Sequence, residues 1–332
     1  MVLSRTLLRA LASVAALTVV LSACGGDGGS GSDTEDESSD GPAVVATTSI
    51  WADVTSQVAC GTDIPAVIPA GADPHGYEPS LRDRETLDNA AVVVANGLAL
   101  EESLIDILDT VAADSDVRVL EVSDHVEVLT GDDEHSDDDH DETEHAEEDS
   151  DDEHSDDEHD HGEGGDPHLW QDPSRVAGAL DAIAAEVSAQ GLETCTEQYR
   201  SELLALDAEI EQQLAELPAS SRLLVTSHDS LAYFADRYDL EIVGSVIPST
   251  STLAEASAAD LADLAAEIER LGVPAVFTEE LESTTDADAL AARLGIAVVP
   301  LVTDALLDDP DADTYVEMMQ TNATAIATAL AP

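Results

Sequence analysis

Lysine is absent from this 332-residue chain: its 11 basic residues, all arginines, face 73 aspartates and glutamates, a formal charge of -62. That balance excludes a nucleic-acid binder resting on a basic surface, since a phosphate backbone would be repelled and not neutralised. It excludes a polybasic membrane patch on the same ground. Aromatic residues are scarce at 3%, so any core is built from alanine, leucine and valine. Only three cysteines occur, Cys24, Cys60 and Cys195, too few for a disulfide scaffold and not in metal-ligand spacing. Beyond the N-terminus no segment approaches the roughly 20 apolar residues of a membrane span, so the expectation is a chain that is anchored without spanning. What is present is length and 43% hydrophobic content, enough for about two domains of ordinary size.

Arg5 and Arg9 precede an apolar run over 10–21, the pattern of a secretory signal covering 1–23. The run ends in Leu21-Ser22-Ala23-Cys24, which resembles the bacterial lipobox, where the cysteine thiol becomes the lipid-bearing first residue. Residues 24–42 then form a lipidated flexible tether of glycine, serine and acid, unable to bury enough surface to offset ordering entropy. The expected location is extracytoplasmic, lipid-anchored to the outer face of the cell membrane. With Cys24 lipidated, Cys60 and Cys195 remain as one pair in an oxidising compartment; a disulfide is expected, the alternative being two free thiols.

From residue 43 the pattern alternates. Strands are predicted over 43–48, 65–68, 91–95 and 117–122, with helices over 51–58, 81–87 and 98–112 between them. Strands then recur over 223–226, 241–246, 275–278 and 296–301, with helices over 231–238, 253–271, 287–294 and 311–330. Such alternation argues for parallel sheets flanked by helices, and its two occurrences argue for two α/β lobes. Two helical patterns, 174–190 and 194–217, lie between. The second carries Leu203, Leu206, Ile210 and Leu214 as one apolar stripe, and at about 36 Å would be a stiff strut along both lobes. The fold expected is α/β: an N-terminal lobe over 43–192, one long rigid linker helix over 193–217 and a C-terminal lobe over 218–332.

Residues 131–165 interrupt the first lobe. Positions 132–163 hold 20 acids and six of the ten histidines: His135, His140, His145, His154, His159 and His161. Without apolar periodicity this insertion is expected to be disordered alone. Acidity does not require histidine, however, and imidazoles among carboxylates make many weak, exchanging sites for a divalent ion. An accessory metal-collecting loop is therefore favoured over a solvated spacer.

Of the other four histidines, His125 leads into the tract and reads as solvated. His75 lies in Asp73-Pro74-His75-Gly76-Tyr77-Glu78-Pro79, where prolines and glycines oppose a helix and should display the imidazole unpacked. His168 lies in Asp166-Pro167-His168-Leu169-Trp170, and His228 in Thr226-Ser227-His228-Asp229 as a strand gives way to a helix. Asp304 follows the strand ending at Leu301. Each sits just after a predicted strand or on a loop leaving the sheet, and in open α/β sheets ligands bind outside the carboxyl ends of strands. A lone loop histidine is more often a surface residue, but three imidazoles and a carboxylate would together complete a tetrahedral site.

The DPHGYEP and DPHLW motifs, the TSHD turn and the FTEEL…LGIAVVPLVTDAL ending resemble the zinc/manganese solute-binding lipoproteins of ABC importers (cluster A-I), over about 43–332. The resemblance implies two lobes joined by a long helix, with the metal buried between them and held by His75, His168, His228 and Asp304. Manganese-type members carry glutamate at the third position, so His228 favours Zn2+ over Mn2+. Some zinc-type members use three histidines plus water or a nearby carboxylate, which leaves open whether Asp304 is a direct ligand. Glu279 either orients an imidazole or is an acid at a helix start.

The implied function is not enzymatic: high-affinity binding of Zn2+ and its delivery to an ABC transporter permease, by a monomer. Affinity should fall as imidazoles protonate. The alternatives are a manganese carrier of the same family, a surface zinc buffer in which the acidic tract is the function, and a zinc hydrolase with an open fourth position. No HExxH-like helix or separate general base supports the last.

Overall fold

A computed structural model describes residues 42–114, 116–130, 165–281 and 283–332. The signal sequence, Cys24, the tether and the six histidines of the acidic tract lie outside the described residues. Two four-stranded sheets are present, each wholly parallel. The first has the order β2-β1-β3-β4, from β1 (Val44–Thr48), β2 (Ala66–Ile68), β3 (Val92–Ala95) and β4 (Arg118–Glu121). The second repeats that order as β6-β5-β7-β8, from β5 (Leu223–Thr226), β6 (Glu241–Ser245), β7 (Ala275–Glu279) and β8 (Ala297–Leu301).

The inner strands β1, β3 and β7 are buried on both faces, as the middle of a helix-flanked parallel sheet requires. In β1, Val44 and Ala46 face the central core while Val45 faces an outer one. In β3, Val92 and Val94 divide from Val93 in the same way, and in β7 Ala275 and Phe277 divide from Val276. The outer core of the first sheet takes Leu87 of α2 (Leu81–Asp88) and Val111 of α3 (Ile105–Asp114). That of the second takes Leu264, Ala265 and Ile268 of α7 (Ala258–Leu271) and Leu290 of α8 (Thr285–Leu294). The central core is filled by α1 (Ser49–Val58), α4 (Pro173–Ala189), α5 (Thr196–Ala215), α6 (Ala232–Tyr238) and α9 (Tyr315–Leu330).

Helix α5 packs against α1 and α4 on the side of the first sheet and against α6 and α9 on the side of the second. It has 20 residues, so it spans about 30 Å and not the 36 Å expected from the sequence. Leu203, Leu206, Ile210 and Leu214 are all buried along it. Asp207 interrupts the apolar stripe and is satisfied by Arg237 Nη2 at 2.5 Å and Tyr238 Oη at 3.2 Å, both from α6.

Three helix starts differ from expectation, each for a local reason. The helix predicted from residue 253 begins at Ala258, because the Ser257 hydroxyl accepts the amide of Asp260 and caps it there. The helix predicted from 311 begins at Tyr315, where Thr314 plays the same part. The helix predicted over 98–112 begins at Ile105, after a short 3-10 turn. Gly97, Leu98 and Ala99 all adopt left-handed φ values of +84°, +55° and +56°, which no right-handed helix accommodates. A Cβ on Gly97 would sit 2.1 Å from Ser123 Oγ, so only glycine fits.

Cys60, just past α1, is bonded to Cys195 at the start of α5 across 135 residues of chain. Beside this bond the amide of Cys195 donates to the carbonyl of Val58 at 2.8 Å. Closing so long a loop removes much entropy from the unfolded chain. Replacing both cysteines by serine should lower unfolding free energy by about 2–5 kcal/mol, read as a fall in melting temperature by calorimetry.

Candidate metal centre

Four segments far apart in the chain converge where the carboxyl ends of the two sheets meet. His75 comes from the loop after β2, His168 from the segment before α4, His228 from the turn after β5 and Asp304 from the turn after β8. One ligand atom from each can be chosen so that all four lie within 4.8 Å of one another. The Nε2 atoms of His168 and His228 are 3.3 Å apart. Asp304 Oδ1 is 3.9 Å from the first and Oδ2 is 3.7 Å from the second. The His75 ring lies 5.5 Å and 5.8 Å, centroid to centroid, from those of His168 and His228.

All four are buried; even His75, read from its loop as displayed, is 2% exposed. The loop stays out of a helix, but it turns inward against loop residues of the second lobe, Thr252 and Leu306 among them. His125, by contrast, is exposed.

Local chemistry holds each imidazole. In both DPH motifs the aspartate Oδ1 accepts the amide of the histidine two residues on, Asp73 from His75 and Asp166 from His168, each at 2.9 Å. Asp166 Oδ1 is also 2.7 Å from His168 Nδ1. His228 Nδ1 lies 2.8 Å from Glu279 Oε1, which also accepts the Ser230 hydroxyl at 2.7 Å. Glu279 ends β7 and is 4% exposed, so its carboxylate faces the imidazole from the end of a strand and the residue does not begin a helix.

Beneath the site lies a buried network that sequence reasoning did not find. Asn96 accepts the Trp51 indole N–H at 2.9 Å, and its amide nitrogen donates to the carbonyls of Gly97 and Pro167, also at 2.9 Å. Its backbone N–H donates to Glu101 Oε1 at 2.9 Å. Burial pushes the Glu101 carboxyl up, partly offset by the Thr47 hydroxyl and the Asn96 amide that bond it. Asn96 thereby fixes the residue before His168. The His168 segment is tied to the Asp304 turn by the Trp170 indole, donating to the Thr303 carbonyl at 2.8 Å. The only sequence signal for such supports was the repeated aspartate two residues before a histidine; Asn96 and Ser230 carry none.

The electrostatics follow from burial. His75 is lowered to about 3, first by burial and then by the neighbouring His168 and His228 rings. Asp304 is raised well above the usual carboxylate range by burial and by the charge of Glu279. Burial pushes Glu279 up as well, but the His228 imidazole beside it and the hydrogen bond from Ser230 outweigh it and hold it at about 2. Two buried carboxyls this close disfavour a second negative charge, and the penalty falls on Asp304. Neither nitrogen of His75 and neither oxygen of Asp304 has a hydrogen-bond partner among the described residues.

Buried donors this close and this poorly satisfied can accept a cation. Zinc–nitrogen bonds of about 2.0–2.1 Å at the tetrahedral angle place two ligand nitrogens roughly 3.3 Å apart, the separation found between His168 and His228.

Comparison with known proteins gives the family. The family model described as zinc-uptake complex component A, periplasmic (ZnuA), matches residues 44–329. The zinc-binding protein TroA of Treponema pallidum is 29% identical over 313 residues, covering 90% of this chain and 92% of TroA. The manganese-binding lipoprotein MntA of Halalkalibacterium halodurans is 27% identical over 295 residues, covering 86% and 87%. The solved structure of the T. pallidum periplasmic zinc-binding protein TroA superposes with a TM-score of 0.70 at 26% identity, over 88% of this chain and all of that one. Two parallel-sheet lobes, a buried cluster of cation donors where they meet and a family match across both lobes lead to one conclusion: the chain belongs to the ZnuA family of metal-binding ABC-transporter substrate-binding proteins and is not an enzyme.

Proposed function

We propose that the chain binds one Zn2+ through His75, His168, His228 and Asp304 and carries it to an ABC importer permease. In this reading it works outside the cytoplasm as a monomer, tethered by a lipid on Cys24. Residues 43–192 and 218–332 are the two lobes and 193–217 their linker, with the 131–165 tract gathering metal nearby. One observation carries the choice of zinc: the buried cluster offers three imidazoles and a single carboxylate. Such a nitrogen-rich tetrahedral set suits zinc, whereas manganese prefers more oxygen ligands and a larger coordination number. Relatives named for each metal are similar to this chain to about the same degree, so the donor set supplies the distinction.

The direct test is mass spectrometry of protein lacking residues 132–163, loaded under competition between zinc and manganese. One zinc per chain is expected; retention of manganese, or of no tight equivalent, overturns the reading. The deletion also separates a carrier, which keeps its tight equivalent, from a buffer, which loses all of its metal. His228→Ala should lower affinity by at least about a hundredfold. Glu279→Gln, which leaves every proposed ligand in place, should lower it about 10–100-fold, both by equilibrium dialysis.

The pH dependence has a definite sign. With His75 lowered to about 3, its proton does not compete with metal near neutrality. Asp304 holds a proton below its raised pKa and must release it to coordinate, so affinity should rise with pH until that pKa is passed. Calorimetry in buffers of different ionisation enthalpy should show proton release on zinc binding that grows as the pH is lowered. Asp304→Asn should abolish that release; unchanged release in the variant would place the proton elsewhere.

A further inference from the structure

The two DPH motifs begin alike and then diverge. Asp166 stays within its own loop, its Oδ1 reaching both the amide and the Nδ1 of His168. Asp73 holds the amide of His75 but turns Oδ2 to the second lobe, where it accepts the Thr252 hydroxyl at 2.8 Å. The Nδ1 of His75 faces Glu102 Oε1 at 3.7 Å, beyond hydrogen-bond length, and that same oxygen accepts the Ser251 hydroxyl at 2.5 Å. Two of the three imidazoles therefore have a carboxylate oxygen within 2.8 Å of Nδ1, and the third does not.

Both acids beside His75 are thus bonded to consecutive residues of one segment, the connection between β6 and α7. That segment lies over the histidine's own loop: a Cβ placed on Gly76 would be 3.6 Å from Leu253 Cδ2. A cavity of about 690 Å³, lined in part by His75, Glu102, Asp106, Thr250 and Ser251, opens beside it and makes this side the approach to the buried cluster.

We infer that Asp73 and Glu102 are positioning residues for His75, and that Ser251 and Thr252 strap them from the opposite lobe so that loosening the strap and freeing His75 are one event. The inference rests on the proposed function, in which His75 is a ligand. Asp73 fixes the backbone of His75 while Glu102 limits its ring, and each is anchored by a hydroxyl of the other lobe. Once those two hydrogen bonds break, His75 keeps the weakest support of the three imidazoles. The strap therefore governs how fast metal leaves more than how many ions are held.

The test is stopped-flow release of zinc to excess chelator from the full chain preloaded with one equivalent. Ser251→Ala combined with Thr252→Val should speed release about tenfold, with one tight zinc still bound and the melting temperature of the metal-free protein unchanged. Exchanging the hydroxyls, Ser251→Thr with Thr252→Ser, should restore slow release. Release within twofold of the parent in the hydroxyl-less variant overturns the strap, as does equally fast release in the hydroxyl-exchanged one. Absence of a tight zinc in the parent chain would instead bring down the proposed function, and the strap with it.

Discussion

The structure depends on burying three imidazoles and two carboxyls together where two sheets meet. Taking such groups out of water is costly unless partners replace the lost hydration. The fold supplies partners for some of their atoms: Asp166 serves His168, while Glu279 and Ser230 serve the side of His228. It leaves both nitrogens of His75 and both oxygens of Asp304 without hydrogen bonds among the described residues. A site satisfied on its outer side and unsatisfied on its inner side is arranged for an ion, since a cation would engage those atoms at once. The acidity of the chain, with its charge of -62, draws divalent cations near but discriminates little among them.

The architecture explains why those donors can meet. Parallel strands end on the same edge of their sheet, so the loops leaving β2, β5 and β8 deliver His75, His228 and Asp304 to one place, and β7 itself delivers Glu279. The halves are stitched together by few but well-buried bonds. Trp170 donates to the Thr303 carbonyl, Gly71 to the Leu306 carbonyl, and Leu306 in turn to the Ser49 hydroxyl. Each runs between residues of the first lobe and the Asp304 turn. The ligand-bearing loops are therefore braced against each other and not only against their own sheets. The Ser251–Thr252 contacts differ in being near the surface, where hydrogen bonds exchange with water more easily.

Much of this could be read from residue order. The β-branched runs at 43–48 and 91–95 marked strands buried on both faces, and the stripe from Leu203 to Leu214 marked the long helix, because both patterns follow from the geometry of the elements alone. Helix starts were less legible. Nothing in the run Leu253–Ser257 distinguishes a helix from a capped approach until Ser257 is seen to accept the Asp260 amide, and the left-handed turn at Leu98 and Ala99 is imposed on residues that do not favour it. Asn96, buried and fully bonded, stands in the sequence as an ordinary polar residue after a strand.

The sequence by itself determined the kind of elements, the parallel character of both sheets and the donor types available, since periodicity, strand–helix alternation and side-chain chemistry are local properties. It also singled out His75, His228 and Asp304 by their place after strands, and His168 by its loop before a helix. Only the tertiary structure decided that their polar atoms approach within 4.8 Å, that His75 is buried and not displayed, and that burial beside Glu279 raises Asp304. Those outcomes arise from distances between residues scores of positions apart and from a common low-dielectric environment, quantities that no stretch of sequence contains.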